Sequence, residues 1–157
     1  MIAFEDIRPN QPIPDLVRGP LGPPHLMRWS SAIENWHRIH YDRDYATGHD
    51  GLPDIVINGS WKQHLLMQLL GRWTGDTGWL AQLRLQFRKM NVAGETLTAW
   101  GRVTGTDTRG GYGLVHLEVG IRNENGVEST PGTAEVVLPF RGGPAVPCPF
   151  TQDLLAP

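Results

Sequence analysis

Two histidines, His37 and His40, stand close together in the string Asn35-Trp36-His37-Arg38-Ile39-His40-Tyr41-Asp42. Imidazole has the side-chain pKa nearest neutrality and both takes and returns a proton, so such a cluster suits general acid-base work; His40 is the principal candidate. Two other readings stand beside this one. The pair, with its aromatic neighbours, could be a hydrogen-bonded structural element without chemistry. It could also supply two metal ligands, with Asp42 or Asp44 as a third; since no further His/Cys cluster at ligand spacing completes a site, no metal is expected.

The elements around this string must position it. Pro23-Pro24 opens a helix in which Leu26, Trp29, Ile33 and Trp36 fall at helical spacing, and this sets the histidines just past a helix end. Arg43 to Thr47 suits a short helix, and Gly48 to Pro53 a loop at the mouth of a cleft. The strongest helical signal runs from Ile55 to Trp73. Trp61, Leu65, Leu69 and Trp73, widened by Leu66 and Leu70, form an apolar stripe, with Lys62, Gln68 and Arg72 largely outside it. From Ser60 to Trp73 this helix would be about 21 Å long. Asn58 suits its N-cap, and Gly59 lets a ligand approach backbone N–H groups that have no helical partner.

Alternation then changes to period two. Leu83, Leu85 and Phe87, then Leu97, Ala99, Gly101 and Val103, then Val115, Leu117, Val119 and Ile121, and finally Ala134, Val136, Leu138 and Phe140 mark four half-buried strands. Asn125-Gly126 is a hairpin signal. Short connections predict an antiparallel meander, and one long apolar helix before it predicts an α+β fold in which the sheet wraps around that helix. Residues 1–22 read as an extended segment with a short strand near Asp15 to Arg18, and 142–157 as a proline-rich arm.

At 157 residues one domain is the default, spanning 1–157. Fourteen basic and sixteen acidic side chains leave a formal charge of -2, which argues against a nucleic-acid-binding field. Cys148 is the single cysteine. With no apolar N-terminal h-region or membrane-length run, the expectation is a cytoplasmic protein without membrane attachment.

Taken together the pattern resembles the MaoC-like acyl-thioester hydratases and dehydratases, whose hot-dog fold is a curved antiparallel sheet around a central helix. Their motif is Asp, two residues, Pro, an apolar residue and His, with an acid two positions on and a glycine opening the central helix about twenty residues later. Here Asn35, Arg38, His40, Asp42 and Gly59 occupy those positions, and the last three agree. The amide of Asn35 is neither acid nor base. The fuller string Asn-x-His-Arg-Ile-His-Tyr-Asp is similar to a subgroup that includes hydroxyacyl-thioester dehydratases and mesaconyl-CoA hydratases, where asparagine stands at this position. Tyr41-Asp42-Arg43-Asp44-Tyr45-Ala46 and Asp54-Ile55-Val56-Ile57-Asn58 resemble the small subunit of heteromeric steroid-side-chain enoyl-CoA hydratases.

The resemblance implies reversible hydration of a trans-2-enoyl thioester to an (R)-3-hydroxyacyl thioester, a lyase reaction of fatty-acid metabolism. His40 would activate the water and relay a proton, Asn35 would position that water, and His37 would orient or share the relay. The backbone N–H of Gly59 would stabilise the enolate oxygen. Tyr41, Asp42, Asn58 and Ser60 are expected at the substrate. Coenzyme A would enter as part of the substrate, with no separate cofactor, and its phosphates would meet Arg84, Arg88 and Lys89 on outward-facing strand positions; a solvated strand face is the plainer reading of those three. Domains of this family work in pairs, which implies a homodimer or a heteromer with a second hot-dog chain. Two rivals remain. A thioesterase on this fold would want a carboxylate on or near the central helix, which carries Gln63, His64 and Gln68 instead; a subunit idle at Asn35 would complete a partner's acyl pocket.

Overall fold

The computed structural model describes residues 2–147, 151 and 153. Five strands form one antiparallel sheet: β1 (Pro12–Arg18), β2 (Trp79–Leu85), β3 (Leu97–Arg109), β4 (Tyr112–Asn123) and β5 (Gly132–Leu138). A first helix, α1 (Pro23–Ala32), precedes the histidine segment, and the long helix α2 (Gly59–Thr74) packs against the sheet.

The period-two pattern survives in the burial. Leu97, Ala99, Gly101 and Val103 on β3, Val115, Leu117, Val119 and Ile121 on β4, and Ala134, Val136 and Leu138 on β5 are buried as expected. They meet Leu65, Leu66, Leu69 and Leu70 of α2 in one core. Full burial of each such leucine is worth about 1.5–3 kcal/mol, so this face alone anchors the helix. The α+β architecture with a sheet around a central helix is the one expected.

The strand order differs from a simple meander. It runs β1-β3-β4-β5-β2, so only β3, β4 and β5 meander, while β2 crosses to pair with β5 at the far edge. Period-two patterning specifies which face is buried and is silent about which neighbour a strand takes. A tight hairpin also joins β3 to β4. Arg109 pairs with Tyr112 across Gly110-Gly111, whose positive φ of 57° and 84° match a two-residue hairpin turn. Around Asn125-Gly126 the chain turns back on itself as expected: Asn123 Oδ1 accepts from the N–H groups of Asn125 and Val127, the Asn123 N–H donates to the Val127 carbonyl, and Arg122 bridges antiparallel to Glu128, with the regular β4–β5 ladder running from Val119 opposite Gly132.

Four local boundaries are corrected. α1 stops at Ala32: Glu34 adopts a left-handed φ of 53° and the Asn35 N–H bonds back to the Ser30 carbonyl, which leaves Trp36 outside the helix and 57% exposed. β2 starts at Trp79 and ends at Leu85, so Phe87, Arg88 and Lys89 lie on the connection to β3 and not on a strand. Lys62, assigned outside the stripe of α2, is buried because Lys89 and Asn91 supply acceptors there. The N-terminal segment, read as extended with a short strand near Asp15 to Arg18, forms an edge strand that begins already at Pro12 and sends Ile7, Ile13 and Leu16 into the core.

The proline-rich arm falls partly on residues 148–150, 152 and 154–157, outside the described residues, as does Cys148. Within its described part, Val146 packs beside Trp79, Ala81, Tyr112, Leu114 and Val137 on the outer face of the sheet. No helix among the described residues is long and apolar enough to cross a membrane.

Candidate active site

His40 ends a single 3-10 turn, Arg38–His40, and is tied to the segment before α2 at two points. The Val56 N–H donates to the Ile39 carbonyl at 2.8 Å, and His40 Nδ1 lies 2.8 Å from the Val56 carbonyl. A carbonyl oxygen only accepts, so Nδ1 carries the proton and donates. In the neutral ring Nε2 then keeps its lone pair, the form a general base requires.

His40 lines a small, partly enclosed cavity of about 10 Å³ with His25, Trp29, Ile57, Asn58 and Trp61, room for about one water molecule. Next to it, and sharing Leu21, His25, Trp29 and Trp61 with it, an open groove of about 450 Å³ runs between α1 and α2. Arg18 and Arg28 flank this groove.

The N-terminus of α2 forms one wall of the cavity. Asn58 caps the helix: its Oδ1 accepts from the Ser60 N–H at 2.9 Å and from Ser60 Oγ at 2.6 Å. Ser60 Oγ in turn accepts from Trp29 Nε1 at 2.9 Å, which ties α1 to α2 beside the site. Gly59 is the first residue of the helix, where backbone N–H groups point outward without intrahelical partners and carry the positive end of the helix dipole. The Phe87 ring lies over Gly59, bringing the 86–89 connection to this end of the helix.

The remaining sequence-derived residues mostly serve the loop. Asn35 Oδ1 accepts the His37 N–H at 3.1 Å. The Tyr41 hydroxyl donates to the Trp36 carbonyl at 2.8 Å. Asp42 accepts from Tyr45 N–H through one oxygen and from Arg38 Nε and a terminal guanidinium nitrogen through the other. The Tyr45 N–H first, and the Arg38 guanidinium next, hold its carboxyl below the usual carboxylate range. These groups brace the turn that carries His40. His37 is exposed, its ring edge-on to that of His40 with centroids 6.0 Å apart.

Arg84 and Arg88 border a different depression, open to solvent, with Gln86 and Pro131. Arg88 is held by Gln86 Oε1, and the Lys89 carbonyl accepts from Lys62 Nζ. Among the described residues no group of three or more His, Cys, Asp or Glu side chains gathers as a metal cage. The sequence reading missed His25. Its Nδ1 accepts the Gly22 N–H at 3.1 Å, so its Nε2 bears the proton, the reverse of His40. The only signal for it was its place one turn before Trp29 on the face that meets α2.

Similarity to known proteins follows the same lines. The sequence profile of the hydroxyacyl-thioester dehydratase type 2 family matches residues 11–95, more than half of the chain. A mesaconyl-C(4)-CoA hydratase from Chloroflexus aurantiacus is 48% identical over 44 residues, a stretch covering 28% of this chain and 16% of that protein. An R-hydratase from Pseudomonas aeruginosa superposes with a TM-score of 0.79 at 16% identity, covering 89% of this chain and 87% of that one. The ChsH1-ChsH2 complex from Mycobacterium tuberculosis contains a chain matched with a TM-score of 0.73 at 22% identity, over 83% of this chain and 98% of that one. At those identities the structural matches speak for the fold. The profile match reaches further, across β1, α1, the histidine segment and α2: this chain belongs to the hydroxyacyl-thioester dehydratase type 2 family.

Proposed function

We propose that the protein adds water reversibly across the double bond of a trans-2-enoyl-CoA, forming a 3-hydroxyacyl-CoA. The observation that carries this reading is His40: one ring nitrogen committed to the Val56 carbonyl, on a residue that lines a small cavity beside the start of α2. In the forward direction His40 Nε2 takes a proton from water as oxygen bonds to Cβ. The π electrons move toward the thioester, and the resulting enolate is quenched at Cα by the proton His40 holds. Asn35, whose Oδ1 is engaged by His37, keeps its NH₂ edge to position the water, and His37 supports the relay. The Gly59 N–H at the helix start stabilises the enolate oxygen.

Coenzyme A is the carrier in this reading, a part of the substrate, and no separate cofactor takes part. Arg84, Arg88 and Lys89 attract its phosphates; the packing of Phe87 over Gly59 supports this, because it brings Arg88 and Lys89 toward the helix N-terminus. Tyr41, Asp42, Asn58 and Ser60 complete the substrate's surroundings. The R-hydratase neighbours support an (R)-configured product. The chain acts in the cytoplasm as a homodimer, or with a second hot-dog chain as in the complex from Mycobacterium tuberculosis.

The test is loss of the conjugated-enone absorbance of crotonyl-CoA and of a long-chain enoyl-CoA, with the wild type beside His40→Ala. The variant is expected to lose about 10²–10⁴-fold in rate with its far-ultraviolet circular dichroism unchanged. Retained activity in a folded variant would remove His40 from the chemistry. One observation favours a second reading, a half-site subunit: the Asn35 amide oxygen is spent on the His37 N–H, at the position where the general MaoC-like motif has an aspartate. Copurification of a second hot-dog chain, with no activity from this chain alone, would select it. A thioesterase is disfavoured because α2 carries no carboxylate, and a free-thiol assay separates it.

A further inference from the structure

Asn58 does more than a cap needs. Its Oδ1 receives two donors, the Ser60 N–H and the Ser60 hydroxyl, and that hydroxyl is itself held by Trp29 Nε1. A backbone N–H only donates, so the amide cannot be turned over, and the NH₂ edge is the one left facing away from the helix. Asn58 is only 8% exposed, and its Nδ2 has no hydrogen-bond partner while the residue lines the cavity that His40 lines. Leaving a buried donor unsatisfied costs about 1–3 kcal/mol. Serine and aspartate cap helices as well as asparagine does and would avoid that cost. Capping therefore explains the oxygen of this side chain and leaves its nitrogen unexplained.

We infer that Asn58 Nδ2 is a hydrogen-bond donor to the thioester carbonyl oxygen, forming a two-donor oxyanion hole with the Gly59 N–H. This rests on the hydratase reading of the His40 site. An NH₂ group offers only donors, so the ligand atom it takes is an acceptor, and the partial positive charge at the start of α2 favours one that becomes negative. In the hydration the carbonyl oxygen is that atom. As the water oxygen bonds to Cβ and its proton passes to His40 Nε2, the Cα=Cβ electron pair shifts to form Cα=C and the carbonyl π pair settles on oxygen. When Cα takes the proton back, the carbonyl re-forms and the charge is gone. A donor fixed beforehand by the Trp29–Ser60–Asn58 chain strengthens its bond at the enolate and nowhere else on the path, which is what lowers the barrier. The amide does this at any pH because it does not titrate.

The experiment uses Asn58→Asp, which is isosteric and preserves both bonds to Ser60, and Asn58→Ser, which keeps a capping oxygen without adding charge. Crotonyl-CoA hydration should fall about 10²–10³-fold in kcat in both, with KM and melting temperature close to wild type. The second readout is binding of butyryl-CoA labelled with ¹³C at the carbonyl, a saturated thioester that cannot be hydrated. Its carbonyl stretch should move to lower frequency on the wild type, and Asn58→Asp should abolish that shift. Butyryl-CoA bound with the same band position on both proteins, or kcat unchanged in both variants, overturns the inference while leaving the hydratase reading intact. A shifted band in a wild type that hydrates nothing supports the donor and removes the reaction. If butyryl-CoA does not bind at all, both fall.

Discussion

A neutral imidazole presents its lone pair in a defined direction only when one of its nitrogens is committed elsewhere, and at His40 the Val56 carbonyl takes Nδ1. The corresponding prediction is spectroscopic. With ¹⁵N-labelled histidine above neutral pH, His40 should show the Nδ1–H tautomer and His25, whose Nδ1 accepts from Gly22, the Nε2–H tautomer. Finding Nε2–H at His40 would contradict the hydrogen bond and leave no lone pair at the cavity. Spacing in the sequence picked out His40 but treated its neighbours as equals. Asn35, Tyr41 and Asp42 are polar and adjacent, yet each spends a hydrogen bond on the loop itself. Sequence position does not say whether a short polar side chain turns to its own backbone or to a cleft.

At the scale of the element, α2 supplies one wall of the candidate site and carries an unusual charge. Lys62 is 3% exposed and donates to the Lys89 carbonyl and Asn91 Oδ1 at 3.0 and 3.2 Å. Burial lowers its pKa to about 8, against the opposing influence of the Glu95 carboxylate. The folded chain thus binds fewer protons than the unfolded chain between pH 8 and the ordinary lysine range near about 10.4. Stability contributed by this group is therefore present above the unfolded pKa and lost as pH falls through about 8. Relative to Lys62→Met, the wild type should gain stability on raising the pH from about 8 to about 10, at up to about 1.4 kcal/mol per pH unit. Urea unfolding of both proteins across that range measures it; a pH-independent difference would show that the ammonium is not desolvated. The same residue marks a limit of helical periodicity. Position 62 lies one turn before Leu65 and Leu66 on the buried face, and its charge argued it outward until the 89–91 connection supplied carbonyl acceptors.

For the whole molecule the strand order matters most. Carrying β2 to the far edge leaves β1 and β2 each paired on one side only among the described residues, and a half-paired strand is a template for another chain. Phe87 and Met90, 55% and 60% exposed, follow directly after β2. The expected state is a dimer, read by light scattering as twice the 17.5 kDa chain mass. Replacing both Phe87 and Met90 with lysine should weaken it without unfolding the protomer. A fully active monomer at micromolar concentration would remove the paired arrangement from the proposal.

The α+β class, the buried faces of β3, β4 and β5, and the start of α2 with its Asn58 cap were legible in the sequence, because period, capping chemistry and side-chain type act over a few residues. Tertiary structure decided the rest. Which strand β2 pairs with, which polar groups near His40 face a cavity, the entry of His25 and the burial of Lys62 all depend on acceptors and neighbours contributed by segments tens of residues away. A hydrogen bond from His40 to Val56, or from Lys62 to Lys89, exists only once the chain has brought those carbonyls within 3.0 Å, and no local pattern encodes that approach.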